Sequence, residues 1–469
     1  MKAKYKELEL IISQQRNQLS QLNKQIEQQD KLIKQLLSRI SDLENRINKN
    51  SKNSSKPPSS DQKPSHKVKK KKENRPYHKG ASRKLLPESA VTSRDVRKVE
   101  RCPKCNAEMQ STGEVQSWQQ VELPKIVPLV HQIDLHACQC PNCHKIETPQ
   151  LKEEEKFLMG PRLEGFINLC LGQFRQGHRS VRELLSLLIP GFNLSQGSVS
   201  KVKKRTAYAL DGNYQYIRDS ILDKSDPIYI DATGWRHKAK NEHAIVMRAG
   251  SRIFFSLIPR QNGEAMLKLV NHRKINHLVS DRGLAISKID ARIHQYCLAH
   301  LLRNICGFAE HPSTSIAHKE NLGFLYDSLQ LLFKDKHRLN RNEITLSTWR
   351  QYGYSSWKKM KQEVCKILYS NPGKKLERAC KRLLKDWKHF IVYLRDKEYP
   401  MTNNAAEEAL RNLVITRKLC FGSRSEYGRK WRRSMQSCIE TLRREGRSIW
   451  DFLTDTIKAF RLGNPYPII

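Results

Sequence analysis

No run of apolar residues in this 469-residue chain approaches the roughly 20 that a membrane-spanning helix requires. The opening stretch, Met1 to Glu9, is charged throughout and lacks the apolar core of a secretory signal. The expectation is a protein of the cytoplasm with no membrane partner. Acids are scarce too: 47 Asp and Glu face 86 Lys and Arg, for a formal net charge of +39 at pH 7. That excess is far beyond what solubility needs and calls for a polyanionic partner, most simply nucleic acid. In such a chain the 12 cysteines read as thiols and metal ligands rather than disulfides.

What is present begins with a long helical pattern. Ile12, Leu19, Ile26, Ile33, Ile40 and Ile47 recur every seven residues, with Leu22, Leu36 and Leu43 at the companion position and Gln15 and Gln29 interrupting it. Sustained heptads of this kind argue for a coiled coil, and the β-branched row leans toward two strands. A single helix docked on its own protein is the plainer alternative. From Ser51 to Lys79 the chain is rich in Ser, Pro and Lys, including Lys67 and Lys69 to Lys72. It has too few apolar residues for a core, so it reads as a flexible basic linker, either tracking phosphates or simply spacing.

Two Cys-x-x-Cys knuckles follow, Cys102 with Cys105 and Cys140 with Cys143. Each aims two thiolates at one point, and two together complete a tetrahedral zinc site. The alternation from Val115 to Leu135 suggests the strands of a zinc ribbon, while Cys138 and His144 compete as ligands. Beyond Gly160 the pattern turns helical. Ser180 to Leu185, the break at Pro190-Gly191, and the polar-basic stretch from Leu194 to Lys201 read as a helix-turn-helix, with Lys201 toward DNA, or as a helical pair beside a sheet.

Residues 227 to 297 predict five strands: Pro227 to Ile230, His243 to Arg248, Ile253 to Ile258, His277 to Ser280, and His294 to Cys297. The second and third form a hairpin through Ala249-Gly250-Ser251. Asp231 and Asp281 close the first and fourth strands, and Glu407 lies in what reads as the first turn of a helix. Adjacent strand ends hold side chains a few ångströms apart on a rigid frame, so these three acids are candidates to hold paired magnesium, or manganese, against a phosphodiester. A mixed sheet with acids so placed matches a ribonuclease-H-like core. Each acid also has a plain reading: Asp231 and Asp281 as turn starters, and Glu407 as the far half of a capping box from Asn404. His300 reads as a core or DNA-backbone contact rather than a metal ligand. Residues 306 to 399, with Trp349, Trp357 and Trp387, read as an all-α insertion.

Nearly end to end, the chain resembles bacterial DDE transposases of the insertion-sequence-66 group. The resemblance is carried by the zipper-like start, Ser54-Ser-Lys-Pro-Pro-Ser-Ser-Asp61, the cysteine knuckles, Asp231-Ala-Thr-Gly-Trp235, Cys297-Leu-Ala-His-Leu-Leu-Arg303, and Asn403-Asn-Ala-Ala-Glu-Glu-Ala-Leu-Arg411 with Arg417-Lys418. It departs from that pattern at Ala232 and at Arg282-Gly283. The resemblance implies that Asp231, Asp281 and Glu407 are the catalytic triad, with Glu408 the acid most easily confused with the last. Arg303, Arg411, Arg417, Lys418 and the run Arg429 to Arg433 are then expected to hold phosphates.

The expected organisation is a multidomain α/β chain. It comprises a coiled-coil helix (1–49), a basic linker (50–98), a zinc-ribbon-like DNA-binding domain (99–150), a helical DNA-binding region (151–224), a ribonuclease-H-like core in two parts (225–305 and 400–469) and the all-α insertion (306–399). The expected activity is metal-dependent cleavage and strand transfer at the ends of a mobile element. The expected partners are element and target DNA, a second copy or more of the chain, and possible helper proteins. Two rivals are a catalytically silent DNA-binding derivative and a structural assembly factor built on the coiled coil.

Overall fold

The computed structural model describes residues 2–50, 84–224 and 226–469. Most of the expected basic linker, with Lys67 and Lys69 to Lys72, lies outside the described residues. The chain divides into two units, the larger being Met1–Gln62, Leu135–Leu185 and Asn193–Ile469, the smaller Lys63–Asp134 with Ser186–Phe192.

In the smaller unit, residues 84–134 carry little regular structure. Backbone groups of Leu86 bond both ends of the Gln119 amide, at 2.7 and 3.1 Å. An isolated bridge joins Arg101 to Glu108 around the first knuckle. The strands expected from Val115 to Leu135 do not form. Val115, Trp118, Leu129 and Val130 are almost fully exposed. An alternating stretch becomes a strand only against a partner that covers its apolar side, and none among the described residues does so.

The larger unit opens with α1 (Lys2–Asn48). Leu19, Ile26, Ile33, Ile40 and Ile47 of its heptad row are all exposed on the single chain. A two-residue hairpin follows, β1 (Cys138–Gln139) and β2 (Ile146–Glu147). Next come four helices, α2 (Pro161–Gly172), α3 (His178–Leu188), α4 (Gln196–Ala209) and α5 (Asp211–Leu222). Ser195 caps α4 by accepting the Ser198 N–H, which leaves one fewer unpaired donor at that helix start.

The sheet contains β3 (Ile228–His237), β4 (Lys240–Ala249), β5 (Arg252–Ile258), β6 (Ile275–Ser280) and β7 (Ala291–Tyr296), in the order β5-β4-β3-β6-β7. The first three run antiparallel in sequence, and β6 and β7 add parallel to β3. A short helix, α6 (Gly263–Leu269), links β5 to β6. After β7 come α7 (Leu298–Ala309), α8 (Ile316–Asn340), α9 (Leu346–Tyr369) and α10 (Lys374–Lys385), which share one core. Trp349 and Trp357 are buried there, and Trp357 donates to the Tyr393 hydroxyl at 2.9 Å, so these rings pack rather than present a surface.

The chain then returns through α11 (Asn404–Cys420), α12 (Glu426–Arg444) and α13 (Ile449–Leu462). Alternation along the strands assigns the layers. Trp235, Ala244, Val246, Ile253, Phe255 and Leu257 meet Ala406, Ala409, Leu410 and Leu413 of α11 on one face. The small side chains of Ala406 and Ala409 let α11 approach closely. Phe254, on the opposite face, stacks with Tyr214 of α5 at 4.5 Å. The outer edge of β5 is closed by α12: Ser437 and Thr441 hydroxyls accept the Phe255 and Ile253 N–H groups at 2.9 and 3.1 Å. An edge strand with its donors satisfied in this way is no template for another chain. Gly422, at φ 113°, lies so close to β3 that a Cβ would collide with the Arg236 carbonyl.

His294 of β7 is buried, with Nε2 2.8 Å from the Ser280 hydroxyl. Burial, and then the neighbouring His389, push its pKa down to about 3. The fold therefore holds His294 neutral against an unfolded value near 6.5, so its contribution to stability is full above that value and is lost as pH falls toward 3. The unfolding temperature should drop between pH 6.5 and 4, with a shallower drop in His294→Gln. Parallel pH profiles for the two proteins would remove His294 from that role.

Candidate active site

The three acids come from separate elements. Asp231 lies on β3, at the first position beyond the parallel pairing, in which Ile230 faces Ser280. Strand β3 does not stop there, as the sequence suggested, but continues against β4 to His237. Asp281 follows β6 directly, and Glu407 sits in the first turn of α11.

A chain of hydrogen bonds ties the residues immediately before these acids. The Asn403 side-chain amide donates to the Ile230 carbonyl at 2.8 Å. The Asn403 N–H donates to the Cys297 sulfur at 3.2 Å, and the Cys297 N–H to the Ser280 carbonyl at 2.9 Å. Both Asn403 and Cys297 are buried, where losing a partner costs most. The capping-box alternative for Glu407 is not realised. The helix starts one residue earlier than that reading required, Asn403 is the cap, and its side chain turns to β3.

Local contacts then orient each carboxylate. Asp231 Oδ1 accepts the Ala232 N–H at 2.8 Å, and Asp281 Oδ1 accepts the Gly283 N–H at 3.0 Å. A Cβ on residue 283 would stand 2.9 Å from that same oxygen, so glycine is needed where Asp281 folds back. Glu407 Oε1 accepts from Arg303 of α7 at 3.1 Å, and His300 Nδ1 lies 3.6 Å away. Burial, and then the Arg303 charge, hold His300 below the ordinary histidine value.

Asp231 is pushed up to about 7, first by burial and then by the facing charges of Asp281 and Glu407, against the opposing Ala232 bond. The three carboxylates are hard oxygen donors, and the charges of Asp281 and Glu407 reach Asp231, the donor chemistry a divalent cation satisfies. Among the described residues, however, no three His, Cys, Asp or Glu side chains are gathered closely enough to form a metal site. Glu408, one residue on, turns elsewhere. It pairs with Arg248 at 3.0 Å and Arg444 at 3.3 Å, and the Arg248 bond first of all lowers its pKa.

The expected DNA contacts separate in the same way. Arg303 is engaged by Glu407. Arg411 is exposed on α11, and its charge acts on Glu408. Arg417 Nη1 bonds the Thr233 hydroxyl at 3.0 Å and the Gly234 carbonyl, fastening the end of α11 to β3. Lys418 is exposed on the same turn, and Lys201 on α4. The two knuckles adopt one local conformation: the Asn106 N–H returns to the Cys102 carbonyl and the His144 N–H to the Cys140 carbonyl, both at 2.9 Å. Backbone N–H groups of Lys104 and Cys105 lower the Cys102 thiol, and those of Cys143 and Asn142 the Cys140 thiol. Sequence reasoning missed Asn403 and Cys297 as organisers and placed His300 outside the acids' company. The first two lie within the motifs singled out, which was the available signal.

The body is mixed α/β, with one acid within β3, one just after β6 and one in the first turn of α11. Residues 180–430 match the family described as the Transposase IS66 family, and this chain belongs to that family. It is accordingly a transposase, an enzyme that acts on DNA. Residues 2–85 match a second family, described as of unknown function. No curated protein matches the chain. No helix among the described residues is long and apolar enough to cross a membrane.

Removing the Asn403 amide should leave the Ile230 carbonyl buried and unpaired. Asn403→Ala should lower stability by about 1–3 kcal/mol in denaturant titrations, the scale of one lost buried partner. An unchanged midpoint would show that the bond chain does not hold α11 in place.

Proposed function

We propose that the protein binds the ends of a mobile element and carries out cleavage and strand transfer through Asp231, Asp281 and Glu407. The observation that carries this reading is the bond chain through Asn403 and Cys297, which ties the segments bearing Asp231, Asp281 and Glu407 together. The sheet order, with three antiparallel strands followed by two parallel ones, supports a ribonuclease-H-like core.

Asp231, Asp281 and Glu407 would hold magnesium or manganese, which supplies activation of an oxygen nucleophile and relief of charge on the phosphodiester. The remaining work falls to the chain itself. Asn403 and Cys297 hold the acids in register, Gly283 lets Asp281 fold back, and Arg303 keeps Glu407 oriented while it balances its charge. Water adds to the phosphorus at the element end, the 3′ oxygen leaves with a proton, and the freed 3′ hydroxyl then attacks target DNA. There its oxygen forms the new ester bond and the target's own 3′ oxygen leaves. Lys201, Arg303, Arg411, Arg417 and Lys418 are assigned to phosphates along the bound strands.

The knuckles Cys102 with Cys105 and Cys140 with Cys143 would each offer two thiolates to structural zinc. Thiols lowered by N–H groups of their own turns fit that ion. The exposed heptad row of α1 is assigned to pairing with a second copy of the chain. A silent DNA-binding derivative is the second reading, favoured by the ion pair that already occupies Glu407.

Cleavage and strand transfer should be followed on labelled element-end DNA with Mg²⁺ or Mn²⁺. Asp281→Ala and Glu407→Gln should each cut the rate by roughly a hundredfold or more, the scale of one lost transition-state contact. Glu408→Gln should stay within about tenfold of wild type, because its partners lie away from the acids. Metal-independent DNA binding without any product, in every variant, would establish the silent derivative instead. For the second metal, protein purified without chelator should carry zinc that Cys140→Ser loses, and zinc-free wild type would end that assignment.

A further inference from the structure

The basic run Arg429 to Arg433 does not act as a block. Arg429 is bound by Glu242 and Glu426 at 3.2 and 2.7 Å, Lys430 by Asp211 at 3.2 Å, and Arg433 lies over the Tyr214 ring. Arg432 and Arg433 have no carboxylate partner among the described residues, and each keeps one nitrogen buried without a hydrogen-bond partner, Nη1 in Arg432 and Nε in Arg433. Arg432 is the one of the two that meets a second cation. Its guanidinium carbon stands 4.7 Å from the centroid of Trp431, and Lys203 Nζ, from α4, stands 4.6 Å from the same ring. Trp431 is itself fixed, buried and donating to the Asn168 side chain at 2.8 Å.

A third cation completes the group. Arg175 follows α2 in a left-handed backbone conformation, φ 57°, and bonds the Asn412 side chain of α11 at 2.7 Å. Neither Arg175 nor Lys203 has a carboxylate partner among the described residues. Burial, then Arg432, bring Lys203 down to about 8, and burial brings Arg432 down to about 10, with the Arg175 charge adding to it and the Cys420 thiol opposing both shifts. Three cations drawn together from α4, α12 and the end of α2, without an acid, are unfavourable unless an anion joins them. Asn412 projects about 140° around α11 from Glu407, so this group lies on a different flank of that helix from the acids.

We propose that Arg175, Lys203 and Arg432 form a preformed socket for a phosphate group of the DNA backbone, separate from the catalytic acids. The proposal rests on the DNA-acting role given above and adds a fixed anchoring point to it. Trp431 holds two of the cations in place by cation–π contact, so little ordering remains when the phosphate arrives. A backbone phosphate here sets register without reading sequence.

The test uses the full chain, with Lys203→Met, which keeps the stem on Trp431, and Arg432→Gln. Binding of a labelled DNA duplex is measured over a series of salt concentrations. Thermal unfolding is measured with and without inorganic phosphate. Each variant should weaken duplex binding about tenfold and reduce the salt slope by about one, as loss of a single phosphate contact does. Each should also unfold no lower than wild type, since relief of cation repulsion offsets the lost packing, and each should lose any stabilisation that phosphate gives the wild type. Unchanged duplex affinity and slope would overturn the socket while leaving the catalytic reading intact. Loss of the phosphate effect alone, with duplex binding unchanged, would assign the socket to a free anion and overturn its DNA role. A wild type that binds no duplex would overturn both readings. A clear fall in unfolding temperature in both variants would mark the cations as structural.

Discussion

One buried side chain, Asn403, holds the site together. Its amide reaches the Ile230 carbonyl, its N–H reaches the Cys297 sulfur, and Cys297 in turn binds the Ser280 carbonyl. Each of these bonds ends one residue short of an acid or leads to a residue that does. The strand ends of β3 and β6 are already adjacent through their parallel pairing, so Asp231 and Asp281 need no further device. Glu407 does, because its helix returns only after the whole α7–α10 insertion. A hydrogen bond that closes so long a loop must do so in a dry setting to matter, and Asn403 is fully buried. The two alanines after it then decide how closely α11 settles on the sheet.

Charge is distributed by the same logic of burial. Asp231 is half-buried and set against two other acids, while Arg303 bonds Glu407 and its charge also eases Asp231. On another flank of α11, Lys203 and Arg432 are kept from water and set against each other. Elsewhere the buried ions are matched: Glu164 with Arg205 and Arg461, Glu440 with Arg443 and Arg444. Beside these matched ions stand two groups of opposite sign, the acids around Asp231 and the cations around Trp431. One is suited to cations and the other to an anion, the pairing a phosphodiester enzyme needs.

The strands were legible because apolar runs bounded by turn residues survive as strands once a sheet covers them. Strand β3 ran longer than expected, since Thr233 and Gly234 look like a turn in isolation but pair with β4 and receive Arg417. The 100° step between helical neighbours was also legible, and it turns Glu408 to Arg248 and Arg444 while Glu407 meets Arg303. The strands from Val115 to Leu135 failed for want of a covering layer, a tertiary fact that alternation cannot reveal. The clasp of Asn403 on Cys297 joins residues far apart in sequence, and neither residue type announces such a bond. The cationic socket was hidden for a further reason: a basic run looks uniform in sequence, and only the positions of Glu242 and Asp211 separate the neutralised members from Arg432.

Helix α11 therefore serves two opposite surfaces at once. Its first turn carries Glu407 to the acids, its middle receives Arg175, and its last turn is fastened to β3 by Arg417. A helix bound at both ends and packed through Ala406, Ala409 and Leu413 moves as a rigid rod rather than bending between its contacts. A strand anchored on the Arg175 flank would then stand at a set distance from the carboxylates on the other. Anchoring and chemistry need no loop movement to be placed relative to each other, because one secondary-structure element spaces them. That spacing is a property of backbone hydrogen bonds, which gives it greater precision than a pair of sites joined by side chains alone.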